Sequence, residues 1–176
     1  MSERNFDRVP GSVVMLREYQ ATDCAALVDL FRDTVRHVNI KDYSQAQIAV
    51  WAPSDIDTEA WGLSFERHYT IVAAVGETIV GFGDIDKTGY LDRLYIHKDY
   101  QRQGIASAVC DALEQHCCAA CITTHASITA KPFFEQRGYR VIKVQQVVRK
   151  GIPLTNYIME KKINDYGALP CSYTLS

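Results

Sequence analysis

Between Tyr69 and Ile96, apolar runs of strand length alternate with short polar turns, a rhythm that predicts three consecutive antiparallel strands. Tyr69 to Val75 and Thr78 to Ile85 carry the apolar residues, and Gly76-Glu77 between them is a two-residue hairpin turn. Asp86-Lys87-Thr88-Gly89 then turns the chain into Tyr90 to Ile96. Upstream, Ser12 to Tyr19 alternates as a first strand with Val14 and Leu16 on one face. Thr22 follows as a helix N-cap, and Leu27, Leu30, Phe31, Thr34, Val35 and Val38 form an apolar stripe about four turns long. Ser44-Gln45-Ala46-Gln47 is a capping box that opens a short helix carrying Ile48 and Trp51, which stops at Ala52-Pro53. A further helix near Thr58 to Glu66 places Trp61 and Phe65 one turn apart.

Downstream of the meander the period changes. Ile105, Val109, Ala112, Leu113 and Cys117 recur at helical spacing. Ile122 to Ala126 is a strand, and Ala130 to Arg137 a helix with Pro132 in its first turn and Gly138 as its C-cap. Two last strands, Tyr139 to Arg149 and Leu154 to Lys162, pair across Lys150-Gly151-Ile152-Pro153. These elements predict one α/β (α+β) domain over 12–163, with a mixed, mostly antiparallel sheet of six or seven strands flanked by helices. Residues 1–11 read as a loose arm, and 164–176 as a tail without pattern.

A chain of 176 residues is long enough to bury a substantial single core. The net charge of −2, without a basic block, lacks the electrostatic footprint of nucleic-acid binding. No apolar run is long enough to cross a membrane. The N-terminus carries charge where a signal peptide needs an apolar stretch, so the expected location is the cytoplasm. There, six cysteines are expected to stay reduced. His116-Cys117-Cys118-x-x-Cys121 lacks the second ligand pair of a structural zinc site, so no metal is expected.

The densest chemistry lies in Leu91 to Glu114. A short apolar run leads into a polar turn from His97 to Gln103, then Gly104, then the start of a helix. That order points the unpaired N–H groups of a helix N-terminus into one small space, where the free donors and the helix dipole attract an anion. Gly104 permits close backbone approach, Ala106 keeps the next position small, and Arg102 adds a positive charge. Gln101-Arg102-Gln103-Gly104-Ile105-Ala106 resembles the Gln/Arg-x-x-Gly-x-Gly/Ala acetyl-CoA signature of the GNAT superfamily of N-acetyltransferases. Gly138-Tyr139, at the family's spacing after it, strengthens the likeness, which spans Val13 to Ile163.

The resemblance implies a GNAT fold in which two neighbouring parallel strands splay apart. Pantetheine would pair there with backbone groups of Leu94, Tyr95 and Ile96, and the pyrophosphate would rest on the N–H groups from Arg102 to Ser107. Acetyl-CoA would be the donor and a primary amine of a small molecule or peptide the acceptor, attacked directly in a ternary complex without a metal. A homodimer stays open as an assembly. Trp51 and Trp61 lie in the part of the chain that forms the acceptor wall in this family, and they equally suit a core role. Asp92, Tyr90 and His97, in that order, are the base candidates near the reacting carbon. A bulge, common at this place in the family, would decide which of Tyr90 and Asp92 points inward. Family positions for a late-helix Asn and a general-acid Tyr fall on Ser127 and Phe134. Phe134 has no proton to donate. That departure leaves a second function open, an acyl-CoA-binding sensor or interaction module without turnover.

Overall fold

A computed structural model describes residues 5–9 and 12–163, with side chains from residue 13 onward. The expected tail, 164–176, and Cys171 within it lie outside the described residues. Eight strands form one sheet: β1 Asn5–Val9, β2 Ser12–Glu18, β3 Tyr69–Val75, β4 Thr78–Ile85, β5 Tyr90–Ile96, β6 Cys121–Ser127, β7 Arg140–Arg149 and β8 Ile152–Lys162. Their order is β1-β2-β3-β4-β5-β6-β8-β7, and only β5 and β6 run parallel. Seven of the strands are those read from the pattern. The eighth, β1, lies within the segment read as an arm and pairs antiparallel with β2. Only Phe6 and Val9 are apolar in it, so its pairing owes more to the open edge of β2 than to its own alternation.

Helices cover both faces: α1 Cys24–His37, α2 Gln45–Trp51 and α3 Thr58–Arg67 on one, α4 Ile105–His116 and α5 Lys131–Gln136 on the other. The Ser44 and Gln47 side chains close the predicted capping box on α2. Thr22 does not cap α1. The chain enters that helix through a tight turn, Ala21–Asp23, braced by Asp23, which accepts from the Gln20 N–H at 2.8 Å and from Arg17. The β7–β8 hairpin is tighter than expected, because Lys150 (φ 48°) and Gly151 (φ 78°) both take left-handed conformations and make a two-residue turn. Pro153 therefore belongs to β8, opposite Val148.

One aliphatic core joins α4 and α5 to the sheet through Val80, Leu91, Val109, Leu113, Ile122 and Met159. Gly83 makes this packing close: a Cβ there would lie 2.9 Å from the Val109 side chain and 3.1 Å from the Arg93 carbonyl. A second core, under α1, α2 and α3, is aromatic and contains Phe31, Phe65, Phe82, Trp61 and Tyr95. Among the described thiols Cys24, Cys110, Cys117 and Cys121 are free. No helix among the described residues is long and apolar enough to cross a membrane.

Candidate active site

β5 and β6 are in register only at Tyr90 with Thr123 and Leu91 with Thr124. Beyond Leu91 they part, and β6 continues along β8 while β5 continues along β4. The His97 N–H donates to the Val80 carbonyl at 2.8 Å, and the Ile96 carbonyl faces away to accept from Thr34 Oγ1 at 3.1 Å. By antiparallel alternation, the Leu94 N–H and carbonyl and the Ile96 N–H turn into the splay, the Ile96 carbonyl being taken by Thr34 and Gln101. Leu94 and Ile96 thus offer the strand edge there, while the backbone groups of Tyr95, expected in the same edge, turn toward Phe82 on β4. The Tyr95 side chain leaves on the other face and packs edge-on against Phe31.

At the far end of β5 the loop delivers the chain to α4. Arg102 (φ 59°) and Gly104 (φ 83°) take left-handed conformations, which for Arg102 costs about 1–2 kcal/mol. Gly104 is the N-cap and no side chain caps the helix, so the N–H groups of Ile105, Ala106 and Ser107 have no helical acceptor. A Cβ at Gly104 would meet nothing within 4 Å, so the space over the helix end is open. Ile105 anchors the turn by burying its side chain. The Gln101 and Gln103 side chains face inward and brace the loop, bonding to the carbonyls of Ile96 and Asp99 respectively. What the loop presents outward is backbone and the exposed Arg102. Such a surface fits a pyrophosphate.

Where the strands part, a cavity of about 610 Å³ opens on the aromatic side. Phe31, Trp51, Trp61 and Tyr95 wall it, and Asp92, Tyr90 and His125 face it. Both tryptophans read from the sequence therefore line one space, although they sit on different helices. Trp51 packs on Tyr43 at 5.0 Å and Trp61 on Phe31 at 4.9 Å, so each is a partly buried core aromatic that also lines the cavity. Asp57 caps α3 through the Ala60 N–H at 2.9 Å, and Asp42 accepts from Thr129 Oγ1 at 2.7 Å; of these two, only Asp57 lines the cavity. Ser127 lines it as well, with its Oγ accepting from the Ala130 N–H at 3.0 Å. Beside Ser127, Asn156 keeps a buried Oδ1 without a partner.

A bulge decides how β5 presents its side chains. Asp84 opposes Arg93 while Ile85 opposes Leu91, which leaves Asp92 as the extra residue. Arg93 is thereby turned to the same side as Tyr90 and Tyr95. Its guanidinium lies 4.6 Å over the Trp61 ring, bonds to Asp84 at 2.9 Å and to Ser64 Oγ at 3.1 Å, and reaches Asp92 at 3.4 Å. Asp84 is fully buried and also holds His68 Nδ1 at 2.6 Å. Burial pushes the Asp84 carboxyl up, against the pull of His68 and Arg93, and the bond to Asp84 raises His68. Burial, then the charges of Asp92 and Asp84, push the Tyr90 phenol up to about 12. A phenol so placed keeps its proton at neutral pH.

His97 stands apart from this group. It lies at the opposite end of β5, where Nδ1 accepts the Asp99 N–H at 3.2 Å and starts the turn after the strand. Phe134 is 3% exposed and sits in the aliphatic core between Phe133 and Tyr139, at ring distances of 5.3 and 5.0 Å. The sequence reading missed His68, Asp84, Arg93, His125 and Asn156. The one available signal was a charged residue inside an apolar strand, Asp84 in Thr78–Ile85 and Arg93 in Tyr90–Ile96.

A family model described as an acetyltransferase (GNAT) domain matches residues 39–161. The uncharacterized N-acetyltransferase YafP of Escherichia coli (strain K12) is 35% identical over 150 residues, covering 85% of this chain and 96% of that protein. A GCN5-related N-acetyltransferase from Rhodopseudomonas palustris superposes with a TM-score of 0.81 at 29% identity, over 84% of this chain and 94% of that one. The acetyltransferase YncA of Salmonella typhimurium, solved with its cofactor acetyl-CoA, has the same fold, with a TM-score of 0.66 at 15% identity over 90% and 98% of the two chains. The splayed strands, the uncapped helix behind them and these likenesses agree: the chain belongs to the GNAT acetyltransferase family.

Proposed function

We propose that this protein transfers the acetyl group of acetyl-CoA directly to a primary amine held in the aromatic cavity. One observation carries the reading. The splay between β5 and β6 connects an anion-binding helix end to a cavity lined by Asp92 and aromatic rings. Acetyl-CoA supplies the activated thioester when bound. The N–H groups of Ile105, Ala106 and Ser107, with Arg102, would hold its pyrophosphate, and the gap-facing groups of Leu94 and Ile96 its pantetheine amides. Ser127 and the unpartnered Asn156 Oδ1 offer further hydrogen bonds there.

In the cavity an ammonium must lose a proton before its nitrogen can attack. Asp92 is placed to receive it, and Tyr90, which retains its proton, is placed to donate. The Ile96 N–H would stabilise the developing oxyanion. Phe134 contributes shape to the donor side and no proton. Trp51, Trp61 and Phe31 suit an amine with an aromatic or bulky apolar body. Cys24 opens α1, but its Sγ bonds to the Thr58 carbonyl at 3.3 Å and no described cysteine lines the cavity, so a covalent acetyl-cysteine step has no support in the geometry.

The test is release of CoA thiol from acetyl-CoA with a panel of primary amines: phenylethylamine, tryptamine, phenylalanine amide, spermidine and a short peptide. Turnover with the aromatic amines above spermidine is the expected result. A rise in Tm with acetyl-CoA but no thiol release from any amine would instead support a sensor without turnover, the reading that Phe134 favours.

A further inference from the structure

Resting on that reading, we propose that His68, held by Asp84, is a positioning residue that takes the amine's proton on from Asp92 and releases it to solvent. Three observations support it. First, an Asp92 carboxylate oxygen, an Asp84 carboxylate oxygen and a His68 ring nitrogen all lie within 4.8 Å of one another, a span that one water can bridge. Second, Asp84 occupies His68 Nδ1 at 2.6 Å, which fixes the tautomer and leaves the Nε2 lone pair to accept a proton. Third, the 31% exposed Asp92 side chain lines the cavity, whereas the His68 side chain lies outside its walls and is 19% exposed, so His68 offers the proton a route to bulk water that does not pass back through the acceptor space.

The charges around His68 favour this role. Asp84 from β4 and Asp92 from β5 stabilise the imidazolium, Arg93 from β5 opposes it, and Asp86 in the turn between them feels its charge. Arg93 also argues against a cation among these carboxylates, because its guanidinium already lies on both. Asp84 cannot do the work alone. It is fully buried and tied to two partners, with one oxygen unmet.

Protons balance as follows. The ammonium gives one proton to Asp92, which passes it through a bridging water to the His68 imidazole. The nitrogen–carbon bond forms, the carbon–sulfur bond breaks, and a second proton from the same nitrogen leaves with the sulfur as CoA thiol. His68 then releases the first proton, so one proton reaches solvent for each acetyl group transferred.

The experiment compares the full wild-type chain with His68→Asn, whose side-chain N–H still reaches Asp84 but which has no titrating nitrogen. Both are assayed with acetyl-CoA and the most active amine of the panel above, over about pH 6 to 9. The expected result is a kcat lower by about 10- to 100-fold near neutral pH, with KM for both substrates within about twofold, loss of the acidic limb of the profile, and partial rescue by imidazole. An active wild type whose profile is unchanged in His68→Asn overturns this proposal alone. So does a limb that moves in His125→Asn instead. A wild type that turns over no amine overturns the acetyltransfer reading and this proposal with it. Should His68→Asn not fold, the wild type still decides. The protein has five histidines. The His68 titration followed by NMR, assigned by substituting the other four, must coincide with the acidic limb of kcat, and a mismatch overturns the proposal.

Discussion

The two faces of the sheet are made of different material and carry different halves of the site. Under α4 and α5 the core is largely aliphatic, and the loop at the head of α4 offers the donor mainly backbone N–H groups. Under α1, α2 and α3 the core is aromatic and encloses Arg93, Asp84 and part of His68. The donor half needs only a particular backbone path, set by Arg102 and Gly104 with Ile105 as anchor. The acceptor half needs side chains from α1, α2, α3, β5, β6 and β8 to converge. A site made of backbone tolerates many side chains. A site made of side chains does not, and its failures should be electrostatic.

The sharpest way to separate the halves is Asp92→Asn. It should lower kcat/KM by about 10²- to 10⁴-fold and leave the Kd for acetyl-CoA, measured by calorimetry, within about twofold. Loss of donor affinity of the same size would show that Asp92 does not belong to the acceptor half alone. Arg93→Ala comes next. It strands Asp84 in the core beside a single partner and should cost about 3–5 kcal/mol in urea unfolding. A cost below about 1 kcal/mol would show that water reaches Asp84 and that the network is not a closed one.

Gly104→Val tests the other half. The new Cβ meets no atom of the chain, but φ of 83° is unfavourable for a β-branched residue, so the fold should lose about 1–2 kcal/mol. The rise in Tm with acetyl-CoA should vanish, because the side chain fills the space over the helix end. A folded Gly104→Val protein with an unchanged shift would remove the phosphate cradle from the account. Phe134→Leu should cost about 1–2 kcal/mol by loosening the contacts with Phe133 and Tyr139, raise KM for acetyl-CoA, and lower kcat only a few-fold. A kcat loss as deep as that of Asp92→Asn would give residue 134 a role that a phenyl ring cannot explain.

The smallest effect concerns stability and pH. His68 is raised in the folded protein by its bond to Asp84, so the folded state holds the proton more tightly than the unfolded one. Its contribution is full below the unfolded value of about 6.5 and is lost as pH rises through the folded value. Tm should therefore fall over that interval in the wild type by more than in His68→Asn. Identical slopes for the two proteins would mean that the Asp84 contact does not bias His68.

Local pattern was enough for most of the fold. The β3–β4 turn, the capping box at Ser44 and the helix from Ile105 each depend on residues a few positions apart, whose spacing already states the geometry. Gly104 at the head of α4 was legible for the same reason, since its left-handed turn is a property of one loop and the helix after it. β1 was not, because its pairing is dictated by the edge of β2 more than by its own alternation. The bulge at Asp92 was only an alternative in the sequence, and it became definite when β4 fixed the register. His68 and Asp84 are 16 residues apart, and Trp51 on α2 and His125 on β6 line one cavity. Sequence order says nothing about such meetings. The loop at the head of α4 was thus determined by the chain locally, whereas the grouping of Asp92, Arg93 and His68 was decided only in three dimensions, by a sheet that brings distant charges together around the buried Asp84, where the low dielectric strengthens their coupling.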